Sequence, residues 1–562
     1  MEKIKTPTRS YFYRFGEIVF FLLIVLYFTG GFPFLPAGLS SFFDVHPKIQ
    51  RKTLVFIAGG AAVLGVLLLE WAQRDKPICS KSLLMRILLS WKTSATGWVI
   101  GLFLLFGSWW TASSILRYES MNAGFDMAIF TQAVWNTTQG HWFYSSIKGG
   151  ISLLGDHFAP FLAVIAVPYK IWPDPKILLA IQAFAAAACL FPLTKIIRRS
   201  GQSPLWEVLF CIAFVLYLPV RNAVRFEFHP EVIAMPFLLY AFAYLKERKI
   251  GLASLCLTAS LFTKENIATV AFAIGFYAMF LMPRPCLMPD ESSNKRPIFF
   301  KTIRLWGMGW MLFSLFYFFM VTQWAIPKLS GAPYFYLDGN FTSWVKAGWV
   351  PFAKHVFNTS TLSYLAKIYG PLAFTSMLAP GPFLLTLPTL AQNLLSRNEM
   401  TRSIFFQYTA TLTPFVFISS VVAMAKIRRF RSYWAYGILL ASVLTSGVSE
   451  IYPMRRNWIA ITPHTKEVAA ILRTIPAEYS LRTHEFYATH AANRKELHIY
   501  ENDHPKEGGS WKARHTDLIA IDRQLLKENA DTVLNGLKNS GYSIILEQNG
   551  FFILRRVADP RK

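Results

Sequence analysis

Apolar residues fall along this chain in long unbroken runs, separated by short polar stretches. Runs of about 17–25 residues, the length a helix needs to cross a bilayer, recur from residue 16 to residue 449. They predict spans near 16–37, 52–71, 97–118, 175–197, 204–220, 231–246, 250–264, 266–283, 303–325, 361–379, 381–396, 410–426 and 432–449. Continuous runs favour helices over the alternating strands of a membrane barrel. The stretch 157–172 is apolar too, but it is short and has Pro160, Pro168 and Pro173 within it or at its end. It is expected to be a juxtamembrane or re-entrant helix.

Near residue 454 the pattern changes. Strand-like runs appear at 497–500 (LHIY), 517–522 (DLIAID), 542–548 (YSIILEQ) and 550–556 (GFFILRR). Helical periodicity lies between them, at 465–474 and 523–539. This predicts a small α/β domain over 454–562. The polar, Pro-rich stretch 284–302 reads as a linker.

Basic residues orient the spans. They gather at Lys3, Lys5, Arg9 and Arg14, in 72–96, and in KIIRR (195–199), KERK (246–249), KRPIFFKTIR (295–304) and KIRRFR (426–431). If 157–172 does not cross, all of these fall on the cytoplasmic side, as the positive-inside bias requires. The expected protein is therefore a polytopic α-helical membrane protein with about thirteen spans. Its N-terminus is inside and its C-terminal α/β domain is extracytoplasmic. The first apolar run is long and lacks a small-residue cleavage site, so it reads as a retained helix.

Composition agrees. The 562 residues are 53% hydrophobic and 16% charged, against about 25% charged for soluble domains, and the mean hydropathy is +0.34. The formal net charge of +25 is accounted for by the cytoplasmic loops, so nucleic acid is not an expected partner. The five cysteines (Cys79, Cys189, Cys211, Cys256, Cys286) show no metal-site or disulfide spacing.

The same topology brings four polar segments to the outer face. The first, 119–156, carries Asp126 and ends in Asp156, beside His157. The second, RFEFHPE (225–231), carries Arg225, Glu227, His229 and Glu231. The third, FTKEN (262–266), carries Lys264 and Glu265. The fourth, 326–360, carries Lys328, Tyr334, Tyr336, Asp338 and Lys346. Ionisable groups next to a bilayer are functional candidates. Asp126 opens a helical pattern. It has the position of a general base toward an acceptor hydroxyl, and equally of an acid favoured by the helix macrodipole. His157 and His229 are candidates to orient a phosphate or to bind Mg or Mn with the neighbouring acids, although no metal spacing is present; structural histidines fit as well. Lys264 and Glu265 read either as a neutralised pair or as a phosphate contact with its tuning acid.

Several blocks together resemble a known family. FDMAIFTQAVWNTTQG, LLGDHFAPFLAVIAVPYKIWPDPKILLAIQ, FHPEVIAMPFLLYAFAYLKERK, LFTKEN, LPTLAQNLLS and FFQYTATLTPFVF occur in order, followed by IPAEYSLRTHEFYATHAANRKELHIY, DLIAID and FFILRR. They resemble the bacterial membrane family called domain of unknown function 2079, over roughly 100–560. Residues 1–95 then read as an added pair of helices before a core over 96–453. The layout is similar to that of the GT-C membrane glycosyltransferases. That likeness implies a sugar taken from a polyprenyl-phosphate donor, an outer-face reaction at a bacterial inner membrane, and a first-loop acid as base or acceptor ligand. By position this acid is Asp126. The usual two-acid pattern is absent, because Phe125 and Met127 flank it. The expected assignment is Asp126 as catalytic, with Asp156, His157, Arg225, Glu227, His229, Lys264 and Glu265 binding substrate. The expected partners are membrane lipids, a lipid-linked sugar and a glycan or lipid acceptor. A transporter or flippase, or a non-catalytic protein whose outer domain binds a partner, stay open as alternatives.

Overall fold

The computed structural model describes residues 95–283, 295–337, 348–427, 431–448, 461–500 and 516–557. The expected spans at 16–37 and 52–71, most of the 284–302 linker, Asp338 and Lys346 lie outside these residues.

The first described helix, α1 (Ala95–Glu119), is an apolar rod of 25 residues, about 37 Å long. The chain then turns into α2 (Phe125–Thr138). A short hairpin of β1 (Tyr144–Ser145) and β2 (Ile151–Ser152) follows. The stretch 157–172 yields α3 (Leu162–Ile171), ten residues long. At about 15 Å it is too short to cross a core of about 30 Å. Val164, Val167, Ile171 and Trp172 stand exposed on it.

Next come α4 (Lys176–Ala188) and α5 (Leu190–Arg199), which together make one long apolar rod against α1. Then α6 (Pro204–Leu216) and α7 (Leu218–Phe226) meet at a 45° bend. Tyr217 is extended there and Pro219 follows, so the expected span at 204–220 is broken. They are followed by α8 (Pro230–Lys246), α9 (Ile250–Leu261), α10 (Ile267–Phe276) and α11 (Lys295–Met320). Helices α10 and α11 cross at Gly275 and Gly307. A Cβ on Gly275 would lie 2.7 Å from the Gly307 carbonyl oxygen, and the reverse distance is 2.6 Å. Two backbones in direct contact leave room for glycine alone.

The run 361–396, expected as two spans, takes a different course. Helix α12 (Thr359–Tyr369) stops, and short 3₁₀ and single-turn pieces lead to α13 (Leu387–Leu395). Pro371, Pro380, Pro382 and Pro388 interrupt the ladder, and Ala373 and Phe374 take left-handed φ of 50° and 56°. Then α14 (Thr413–Lys426) and α15 (Arg431–Val448) close the helical part. Among the described residues three helices are long and apolar enough to cross a membrane alone, or four if the bent pair counts as one span; the other apolar helices are shorter.

The last part holds α16 (Pro463–Thr474) and a five-stranded sheet: β3 (Leu481–Thr483), β4 (Leu497–Ile499), β5 (Leu518–Asp522), β6 (Tyr542–Gln548) and β7 (Phe551–Arg556). The order is β4-β3-β5-β7-β6, with β3 parallel to β4 and β5, and β7 antiparallel to β5 and β6. Asn549 (φ 50°) and Gly550 (φ 83°) make the tight β6–β7 turn, as an Asn-Gly pair favours. One sheet face buries Leu481, Leu497, Ala520 and Ile553 with Val468 and Leu472 of α16. Met121 and Ala128 join that same cluster, so the sheet is seated on the start of α2. The other face buries Ile519, Ile521 and Leu554 against Leu534 and Leu537 of α17 (Ala530–Asn539).

Candidate functional site

Helix α2 begins without a side-chain cap of its own: Gly124 occupies the N-cap position. Its free N–H groups need acceptors, and these come from far away in sequence. Glu227 accepts from Gly124 N and Met127 N, each at 2.8 Å, and Glu485 of the sheet segment accepts from Phe125 N at 3.2 Å. A Cβ at position 124 would stand 2.9 Å from the Glu485 carboxylate, so a side chain there would displace that contact. Two acids therefore grip the helix start from opposite sides, and both favour its positive dipole end.

Asp126 projects from this first turn. Its side chain is 39% exposed, and Oδ2 lies 3.3 Å from Nε2 of His229, which is 3% exposed. His229 is held rigidly. Its backbone N–H donates to Gln182 Oε1 at 2.5 Å, and its ring stacks on Phe226. The Gln182 amide nitrogen in turn donates to the carbonyls of Val224 (2.9 Å) and Glu227 (2.8 Å). One buried glutamine on α4 thus fixes the loop that presents both Glu227 and His229.

Two further ion pairs adjoin. Lys264 Nζ is 2.5 Å from Glu231 Oε1. Glu265 receives N–H of Phe158 (2.9 Å) and OH of Tyr334 (2.8 Å) and pairs with His157 Nδ1 at 3.0 Å. The His157 ring stacks on Tyr336 at 4.7 Å. Asp156 pairs with Lys148 at 2.9 Å.

The electrostatics follow from this packing. Burial alone would raise the Asp126 carboxyl, but the hydrogen bond and charge of His229, with His157 and Lys264 behind it, bring it below its ordinary value. Burial would likewise lower His229, yet Asp126, Glu231 and Glu227 raise it. Burial of Glu265 is outweighed by His157 and Lys264, which hold it down at about 2. Lys264 is raised: Glu231 and Glu265 outweigh its burial. Burial, then the charge of Asp126, pushes Glu227 up. Asp126 is thus a carboxylate beside the His229 ring and within the field of the Lys264 ammonium, and it is the most open of these acids.

The structure thus brings together Asp126, His157, His229, Glu231, Lys264 and Glu265, with Asp156 acting on Tyr334 and Tyr336 at the margin. Glu227 lies behind α2 as its cap. Arg225 is buried where α7 ends; its carbonyl accepts from Arg117 at 2.9 Å. Lys328 sits over Trp324. Sequence reasoning missed Gln182, Glu485 and Tyr408, a half-buried phenol on which Lys264 and Asp126 both act. A lone amide inside an apolar helical run was the available signal for Gln182. Among the described residues no three or more His, Cys, Asp or Glu side chains are grouped to hold a metal ion.

Comparison with known proteins places this geometry in context. Residues 117–553 match the family DUF2079, described as predicted membrane protein, and the chain belongs to that family. No curated protein matches it. The fold is similar to that of ArnT from Cupriavidus metallidurans in its crystal structure bound to undecaprenyl phosphate. The identity is 11%, the TM-score is 0.51, and 83% of this chain and 99% of that one are covered. The apo structure of the same protein aligns over the same shares at a TM-score of 0.46.

Proposed function

We propose that this DUF2079 membrane protein is a glycosyltransferase of the GT-C kind. It moves a sugar from a polyprenyl-phosphate donor to an envelope lipid or glycan on the outer face of a bacterial inner membrane. One observation carries the reading: Asp126 is an open carboxylate, fixed at a doubly capped helix start, beside buried cationic side chains. The fold shared with a protein solved with undecaprenyl phosphate supports the donor class.

In this mechanism Asp126 takes the proton of the acceptor hydroxyl. The acceptor oxygen bonds to the sugar's anomeric carbon as the bond from that carbon to the phosphate oxygen breaks. The polyprenyl phosphate leaves with the electron pair, and His229 and Lys264 supply positive potential where that charge develops. Glu231, Glu265 and His157 keep those cations in place, with Asp156 at the rim. The sheet segment forms the acceptor side of the site.

The test compares envelope glycolipids and glycans by mass spectrometry in wild type, a deletion strain and an Asp126→Asn strain. One sugar absent from both mutants, with the variant present in the membrane at wild-type level, is the expected result. An unchanged profile in the deletion, without accumulated lipid-linked sugar, overturns it and moves the assignment to a transporter or a partner-binding protein.

A further inference from the structure

A cavity of about 530 Å³ opens at the other end of the long rods, between α1, α5 and the end of α8. Val99 and Phe191 form its apolar wall; Lys195, Arg198, Arg199 and Glu247 form its polar side. Its depth follows from α1. Val99 stands near the start of this helix, and Glu119 at its end pairs with Lys176 at 2.6 Å, close to the start of α4. Twenty residues of helix separate the two, about 30 Å, the thickness of the hydrocarbon core. The cavity therefore lies one bilayer away from the end that carries Asp126.

The cations here outnumber the acids. Lys195 sits 4.5 Å over the Tyr244 ring and 3.1 Å from Glu247. Glu247 is shared with Lys249, also at 3.1 Å. Arg198 is bound by Glu207 at 2.8 Å. Arg199 is exposed and makes no ion pair among the described residues. The two acids are thus already neutralised, while Lys195 and Arg199 both line the cavity. An apolar wall, a surplus of cations and a position at the membrane boundary describe one ligand chemistry: a phosphate on an acyl chain.

We propose that this cavity is a binding site for an anionic phospholipid of the cytoplasmic leaflet, with the phosphate between Lys195 and Arg199 and an acyl chain along Val99 and Phe191. The inference uses the membrane fold and not the transfer reaction, so either can fail without the other.

Native mass spectrometry of the full-length protein, titrated with cardiolipin, phosphatidylglycerol or phosphatidylcholine, tests it. Wild type should hold the two anionic lipids in preference to phosphatidylcholine. A Lys195→Gln/Arg199→Gln double variant should bind cardiolipin roughly 30-fold more weakly, as expected for two lost cations near a phosphate. A Lys301→Gln/Arg304→Gln variant, with the same loss of charge on another helix, should bind as wild type does. If the double variant does not fold, Arg199→Gln alone, at an exposed position, should still cost about fivefold. Unchanged cardiolipin binding in a folded variant overturns the site. Inorganic phosphate displacing cardiolipin at equal concentration overturns the lipid and leaves a soluble phosphate ligand.

Discussion

The pair Asp126–His229 and the pair Asp522–His464 use the same two side chains and invert their exposure. In the first the histidine is buried and the acid is open. In the second the acid is fully buried and the histidine, at 2.6 Å, is 15% exposed. Asp522 also accepts from Tyr487 OH at 2.5 Å and Gln524 N at 2.8 Å, so both its oxygens are engaged, and it caps a helical turn and ties α16 to the sheet end. Asp126 has one protein partner on one oxygen and free capacity toward solvent. The same chemistry therefore locks structure in one place and leaves a reactive group in the other; what differs is which partner faces out.

Several substitutions would break or sharpen that contrast. The largest effect is expected for Asp126→Asn. It should lower transfer by about 10²–10⁴-fold, the usual contribution of a general base, with the thermal midpoint in detergent unchanged. A midpoint that falls along with the rate would make Asp126 structural like Asp522. For Asp522→Ala the expectation is the reverse. It strands a buried phenol and a helix-cap N–H, costing about 3 kcal/mol of stability; a melt as high as wild type would contradict the lock.

Glu227→Gln probes the support of the reactive pair. Gln still accepts one of the two N–H groups, but the buried negative charge beside Asp126 is gone. Transfer should fall about tenfold, or ~1.4 kcal/mol, because α2 is held less firmly and Asp126 is less basic. A rate equal to wild type would remove Glu227 from any positioning role. The smallest effect concerns pH. His229 is raised above its ordinary 6.5 and Asp126 lies below 3.8, so the ion pair is complete between those values. Its contribution to stability is fully present between pH 3.8 and 6.5, is lost as pH rises through the raised value of His229, and is lost as pH falls through the lowered value of Asp126. Transfer measured at fixed donor concentration should decline severalfold on the alkaline side, above pH 6.5. Transfer that instead rises above pH 6.5 would mean His229 works neutral.

The sequence carried the parts of this site more readily than their pairing. Positive-inside counting brought Asp126, His229, Lys264 and Glu265 to one face, and the structure gathers them. Which acid meets which base was illegible, because the partners are 103 residues apart for Asp126–His229 and 108 for His157–Glu265, and charge counting has no term for contact. Strands at 518–522 and 542–548 stood out by their β-branched runs, whereas β3, three residues with a buried Arg482 at the centre, is too short to show alternation. In 361–396, averaged hydropathy hid four prolines, since a proline breaks hydrogen bonds without making the segment polar. The periodicity over 523–539 predicts one helix, but Lys527 takes φ 53° and splits it.

The grip of Glu485 on Phe125 has a consequence for how such a protein can change over time. The sheet is a soluble fold on a membrane body, the kind of part that gene fusion exchanges freely. Here one of its carboxylates completes the terminus from which Asp126 projects. A replacement sheet would have to bring an acceptor to that same amide, so the two parts are expected to be inherited together and to drift in step rather than shuffle.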